Sequence, residues 1–272
     1  MTADAAVPPD GQVDILVLGP VVLRHRGREI ALPSRGARAL LGNLAAEPRR
    51  ELSDDVLHLR MWPQRPEGDG TKALRVAVHR LRQWLHTTVG DAVVVRRTTQ
   101  GYALDVRSGE IDAERFRALL ARSAKVPPAG RVDLLAEALD FWRGPALVDG
   151  PQESADATVL RQLANQRAAA SREFARLTID AGHADRALYA LAPLISEDPL
   201  DEALQAAWFE ALAASGQQAA ALEAYELLRV RLRDELGVEP SREVSRALVK
   251  VLQHGEREQA AAPRAPDAEV PD

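Results

Sequence analysis

Two stretches 34 residues apart constrain this chain more than any other feature. "FARLTIDAGHADRAL" (174–188) aligns with "WFEALAASGQQAAAL" (208–222), setting Phe174 over Trp208, Gly182 over Gly216, Ala187 over Ala221 and Leu188 over Leu222. A period of this length, with a small residue at the turn between two helices, is the spacing of tetratricopeptide-like helix pairs. Each pair buries only part of its apolar face, so neighbouring pairs must stack to close a core. The second half therefore reads as all-α, with helices over about 112–124, 130–143, 156–181, 184–197, 201–215, 217–236 and 242–254. Pro199 and Pro240 are placed at the starts of the helices that follow each pair.

Upstream the pattern changes. "VDILVLGPVVLRHRGREIAL" alternates as strands do, breaks at Gly19-Pro20, and turns again over His25-Arg26-Gly27-Arg28. Ser34 is placed as the N-cap of a first helix carrying Ala37, Leu40, Leu41 and Leu44 on one face, and Pro48 ends it. Ser53 or Asp54 caps a second helix. The loop "PQRPEGDG" leads into a third helix from about Thr71 to His86, and "AVVVRR" and "GYALDV" form a closing hairpin. Three helices followed by a β-hairpin is the order of a winged helix-turn-helix. The expected fold is mainly α: an N-terminal winged helix-turn-helix (α+β) over 12–107, then an all-α tetratricopeptide-like domain over 110–254. Residues 1–11 and 255–272, rich in Ala, Pro and Asp, are expected to be disordered tails.

Charge points to one helix. Residues 11–107 hold 16 Lys and Arg against 10 Asp and Glu, net +6, although the whole chain is at -5. A basic end on an acidic body calls for an anionic partner. The segment "TKALRVAVHRLRQWL" contains no acidic residue at all. At 100° per residue, Leu74, Ala77, Val78, Leu81 and Leu85 form one apolar stripe. Lys72, Arg75, Val76, His79, Arg82, Gln83 and His86 form the opposite face, with Arg80 on the flank. A helix that merely faces water normally mixes signs, because Glu–Lys pairs at i, i+4 are mildly stabilising and like charges mildly repel. Duplex DNA is the expected partner. Arg can fork onto guanine N7 and O6, Gln can pair with adenine, and Val76 can touch a thymine methyl. Arg35 and Arg38 near the first helix, and Arg96, Arg97, Thr98 and Thr99 in the hairpin, suit phosphates and minor-groove edges. The DNA-contacting set is thus Arg35, Arg38, Thr71, Lys72, Arg75, Val76, His79, Arg80, Arg82, Gln83, Arg96, Arg97, Thr98 and Thr99.

Other chemistries find little support. Without cysteine there is no disulfide, thiolate nucleophile or cysteine-ligated zinc. The six histidines (His25, His58, His79, His86, His183, His254) show no metalloprotease spacing, and "GDGTK" lacks the spacing of a phosphate-binding loop. The expectation is no enzyme, no metal site and no cofactor. No run approaches a membrane span and no signal peptide is apparent, so a cytoplasmic, nucleoid-associated protein is expected.

With these residues in view, the order "LGPVVLRHRGREIALPSRGARALLGNLAA … DDVLHLRMWP … ALRVAVHRLRQWL … GYALDV" resembles the OmpR-type winged-helix domain of the Streptomyces antibiotic regulatory protein family. The segments "EIDAERFRALL", "EALDFWRGPAL", "AGHADRALYALAPLISEDPLDEAL" and "ASGQQAAALEAYELLRVRLRDELGVEPS" resemble that family's bacterial transcriptional activation domain, and the resemblance spans about 13–254. It implies a transcriptional activator that sits on promoter direct repeats, as a dimer on double-stranded DNA. It also implies recruitment of RNA polymerase holoenzyme through the sigma factor and neighbouring subunits, often at secondary-metabolite gene clusters. By the same resemblance, Trp62, Gln64, Arg65, Glu67 and Asp69 lie in the loop that touches polymerase. Lys72, Arg75 and His79 stand where relatives commonly carry Asn, Gln and Ser, so the target sequence is expected to differ. A repressor of the same architecture and a helical-repeat scaffold are the alternatives.

Overall fold

The computed structural model describes residues 12–62, 70–106, 109–147 and 158–261. Strand β1 (Val13–Leu16) pairs antiparallel with β2 (Val22–His25), and β2 with β3 (Arg28–Ala31). The β2–β3 turn runs through Arg26 and Gly27, at φ 51° and 74°, the primed-turn geometry that suits twisted strands. Val13, Ile15 and Leu23 are fully buried by the alternation.

Helix α1 (Arg35–Ala46) begins at Ser34, whose hydroxyl accepts the Ala37 N–H at 3.1 Å. Helix α2 (Asp54–Met61) begins at Ser53, which accepts the Val56 N–H at 3.2 Å. Each cap satisfies one of the amides that a helix start leaves without a partner. Strand β4 (Leu52–Ser53) lies between them. Helix α3 (Gly70–Val89) runs one turn past the expected His86 and ends in a 3₁₀ turn over Gly90–Ala92. The hairpin of β5 (Val93–Arg97) and β6 (Gly101–Val106) follows, and β7 (Gly109–Ile111) closes the region.

Two pairings escaped the sequence reading. β4 pairs with β6, and β7 runs parallel to β1, giving one sheet of order β3-β2-β1-β7 and another of order β4-β6-β5. β4 and β7 have two and three residues, too short to show a period, and their partners are distant in sequence. Gly101 is required at the β4 contact, because a Cβ there would sit 1.8 Å from the Leu52 carbonyl oxygen.

Helix α4 (Asp112–Ser123) is tied to β1 by the Asp112 carboxylate, which accepts the N–H groups of Val17 and Leu18 at 2.9 and 3.0 Å. Burial pushes the Asp112 carboxyl above its usual range, against those bonds and the nearby Arg143. Helix α5 (Pro128–Leu139) starts and stops earlier than the expected 130–143. Trp142, just beyond it, meets Phe116 edge to face at 5.4 Å. Phe116, Leu119, Ala138 and Leu163 share one core with Leu40, Leu81 and Val95. The first compact unit consequently extends to Arg167, inside α6 (Thr158–Asp180), beyond the limit of 107–110 drawn from sequence. That limit marks where strands give way to helices, whereas packing continues across it.

The second unit holds α7 (Ala184–Glu197), α8 (Glu202–Ala214), α9 (Gln218–Arg231), a π turn over Leu232–Leu236 and α10 (Arg242–Ala261). Its repeat is reproduced bond for bond. Gly182 and Gly216 adopt φ 79° and 77°. His183 N–H donates to Thr178 O at 2.7 Å, as Gln217 N–H does to Leu212 O at 2.9 Å. This left-handed closure satisfies the last carbonyls of each helix, and glycine adopts it without strain. Ala175, Ala187, Leu191, Leu204 and Ala211 form one core. Phe209, Ala221, Leu228, Val244 and Val251 form another. The helices begin at Glu202 and Arg242, within a residue of the expected 201 and 242. Asp201 accepts the N–H groups of Ala203 and Leu204, and Ser241 accepts that of Val244, so these residues cap them, while Pro199 and Pro240 lie just upstream and are not the first helical residues. A side-chain acceptor can bind a free amide and proline cannot. α10 also continues to Ala261, past the point where a tail was expected. The whole is mainly α, with a winged-helix α+β part followed by stacked helix pairs. Among the described residues no helix is long and apolar enough to cross a membrane.

Candidate nucleic-acid interface

Leu74, Val78, Leu81 and Leu85 of α3 are each 1% exposed and fasten the helix to the core behind it. With that stripe fixed, helical geometry turns Lys72, Arg75, Val76, His79, Arg80, Gln83 and His86 outward, all of them exposed. Arg80, placed on the flank by the helical wheel, is as open as the rest, and Val76 keeps 44% of its surface. Among the described residues, Lys72, Arg75 and Arg80 have no carboxylate within ion-pairing distance. His86 faces Asp91 at 3.7 Å. The Thr71 side chain lies outside the described residues.

The start of α1 joins this surface. Pro33, Ser34, Gly36 and Ala37 line an open groove of about 890 Å³ together with Lys72, Ala73, Val76, Ala77, Arg80 and Gln83. Trp62 and Trp84 wall the same groove. Arg35 is exposed beside it, and Arg38 is half-buried. In the remaining expected loop, Gln64, Arg65, Glu67 and Asp69 lie outside the described residues. Trp62 is within them and stacks obliquely on His58 at 5.8 Å.

The wing residues divide. Arg96 and Thr99 face solvent. Arg97 pairs with Asp54 at 2.6 Å, and that hydrogen bond holds its guanidinium above its ordinary range. Thr98 donates its hydroxyl to the Glu51 carboxylate, which also accepts the Gln100 N–H at 2.7 Å. These two bonds lower the Glu51 carboxyl below its ordinary range. Arg82, expected on the open face, is half-buried: its Nε donates to the Val95 carbonyl at 2.7 Å. The helical wheel puts Arg82 beside Arg75 and cannot see the strand that packs there.

Sequence reasoning missed Glu51, Asp54 and Tyr102 as the groups that anchor the wing. A signal existed: Glu51 ahead of β4 and Asp54 at the start of α2, carboxylates able to meet a hairpin carrying Arg96-Arg97. A shallow groove lined by Arg49, Glu51, Arg96, Arg97, Thr98, Thr99 and Ala103 marks where they meet.

Comparison with known proteins agrees with this architecture. Residues 111–252 match the family described as Bacterial transcriptional activator domain. The transcriptional regulator RedD of Streptomyces coelicolor is 29% identical over 248 residues, covering 89% of this chain and 71% of RedD. The regulatory protein DnrI of Streptomyces peucetius is 29% identical over 252 residues, covering 89% of this chain and 91% of DnrI. The solved structure of Mycobacterium tuberculosis EmbR, in complex with a low affinity phosphopeptide, superposes with a TM-score of 0.67 at 24% identity, over 92% of this chain and 69% of that one. That last likeness speaks to fold alone. The chain belongs to the bacterial transcriptional activator domain family and is a transcriptional regulator of the Streptomyces antibiotic regulatory protein type.

Proposed function

We propose that this regulator is a sequence-specific DNA-binding activator that lays α3 into the major groove of promoter duplex and sets its wing on the adjacent backbone. The observation that carries this reading is the open face of α3: three cations and an imidazole without a carboxylate counterpart among the described residues, on a helix whose opposite side is 1% exposed. A cationic face of this kind gains free energy by displacing the counterions condensed on phosphates. Arg75 and Arg80 fit guanine edges, Gln83 adenine, Val76 a thymine methyl, and Lys72 and His79 the flanking acceptors. The helix start beside Arg35, with Arg38 behind it and Arg96 and Thr99 on the wing, supplies phosphate contacts.

The family membership extends the reading. Tandem copies on direct repeats would place recognition helices about 34 Å apart on one face of the duplex, and the 62–70 loop with the helical pairs would engage RNA polymerase. A secondary-metabolite gene cluster is the target class that the resemblance to the Streptomyces antibiotic regulatory protein family suggests. Footprinting of the full chain across its own genomic neighbourhood tests the core of this reading. Protected repeats at helical-turn spacing support it, and absence of protection at low salt sinks it. Transcription in vitro with purified polymerase then separates an activator from a repressor by the sign of the change.

A further inference from the structure

Tyr102 is 4% exposed, and two guanidiniums lie over its ring: Arg97 at 4.7 Å and Arg82 at 5.6 Å from the centroid. These arginines come from different elements. Arg82 projects from α3 and bonds the Val95 carbonyl of β5 through Nε at 2.7 Å. Arg97 ends β5, opposite Tyr102 in the β5–β6 register, and its Nη1 reaches Asp54 at the first turn of α2 at 2.6 Å. One buried ring thus joins α2, α3 and both wing strands. Among the described residues, Arg82 is the one α3 cation bonded to the wing.

We propose that Arg82 is a positioning residue which fixes the angle between α3 and the wing, with Tyr102 as its platform, and that it does not read bases. This rests on the DNA-binding reading above. The chemistry favours the role. A guanidinium is planar, so it can lie against an aromatic ring while its Nε–H, in the same plane, donates sideways to a carbonyl. That uses the two features that distinguish arginine from lysine. The recognising arc of α3 then narrows to Lys72, Arg75, Val76, His79, Arg80 and Gln83. The wing's own contacts, Arg96 and Thr99, depend on Arg82 for their distance from that arc, and misplacement by about an ångström is enough to lose a directional contact.

The test uses the full chain and a duplex that the wild type enriches from a random-sequence pool. Arg82→Lys, Arg82→Ala and Tyr102→Leu are compared with wild type by affinity, hydroxyl-radical footprint and repeated selection, with thermal unfolding as the folding control. A clamp predicts that Arg82→Lys binds about tenfold more weakly, nearly as weakly as Arg82→Ala, the loss typical of a bond to a charged group. It also predicts that protection disappears on the wing side of the footprint while the selected bases stay the same at every position. Arg82→Lys with wild-type affinity would mean a simple phosphate contact and would overturn the clamp. So would relaxed preference at one base with wing protection intact, the signature of a base reader. Tyr102→Leu should erase the same wing protection, and if that variant does not fold, Arg82→Lys decides alone. Should the wild type enrich no duplex, the DNA-binding reading itself fails and the clamp falls with it.

Discussion

Helices α3 and α9 both present arginines that water can reach, and Arg229 of α9 differs from Arg75 and Arg80 of α3 in its surroundings. On α9, Arg229 is held by Glu226 one turn earlier at 2.9 Å. The same habit recurs around it: Arg176 with Asp180 at 3.1 Å, Arg233 with Asp234 at 3.0 Å, Lys250 with Glu210 at 2.7 Å. On α3, Lys72, Arg75 and Arg80 stand together without such partners among the described residues. Exposed ion pairs each contribute little, so the pairing of Arg229 adds little to stability. The unpaired α3 face carries a small repulsive cost of its own, which an external polyanion would relieve. The contrast therefore concerns partners more than stability.

The most severe way to break it is through the frame that presents α3. Gly101→Val would drive a Cβ toward the Leu52 carbonyl, now 1.8 Å from where that atom would lie. The expected loss exceeds about 4 kcal/mol. Denaturant unfolding within about 1 kcal/mol of wild type would show that β4 and the wing are dispensable to the frame. Next, Leu81→Ala beneath α3 should cost about 2–5 kcal/mol. Leu227→Ala on α9, where the side chain is 52% exposed, should stay within about 0.5 kcal/mol. Equal losses at the two sites would erase the distinction between anchored and open apolar residues.

The third variant addresses the charges directly. Arg75→Ala should weaken DNA retention by about 1–3 kcal/mol if it meets a guanine, or reduce the salt slope by about one if it meets a phosphate. Arg229→Ala should do neither, and a matching loss there would mean that the charge pairing is no guide to function. A fourth sharpens the repeat: Gly182→Ala and Gly216→Ala should each cost about 1–2 kcal/mol, because both force alanine into the left-handed region. Markedly unequal melting-temperature shifts would argue against equivalent turns.

The smallest effect concerns Glu51. Its folded-state value lies below the ordinary 4.5, because Thr98 and the Gln100 N–H bind the carboxylate. A lowered value means that the contribution is present above 4.5 and disappears as pH falls through the folded-state value. The amide resonance of Gln100 should accordingly titrate with a midpoint below 4.5, and a midpoint at 4.5 would mean an unengaged carboxylate.

How much of this was legible beforehand follows from the range of the interactions. Periodicity and caps are local, so Ser34, Ser53, the α3 stripe and the Gly182–Gly216 repeat could be read directly. Arg97, Thr98 and Arg82 could not be placed, because the groups that engage them come from β4, α2 and β5. The same holds for β7, whose partners in β1 lie 96 residues away in the chain, and for Asp112, whose partners lie 94 to 95 residues away.

By itself the sequence determined the winged-helix order, the stacked helix pairs and the sign of the α3 face, since each depends on spacing within a few turns of chain. Tertiary structure alone decided which cations stay open and which are bound to the protein's own backbone and carboxylates. It also decided that β7 and α4 belong to the same packed body as the wing. Both were settled by contacts between residues far apart in the chain, whose proximity exists only after the chain has folded.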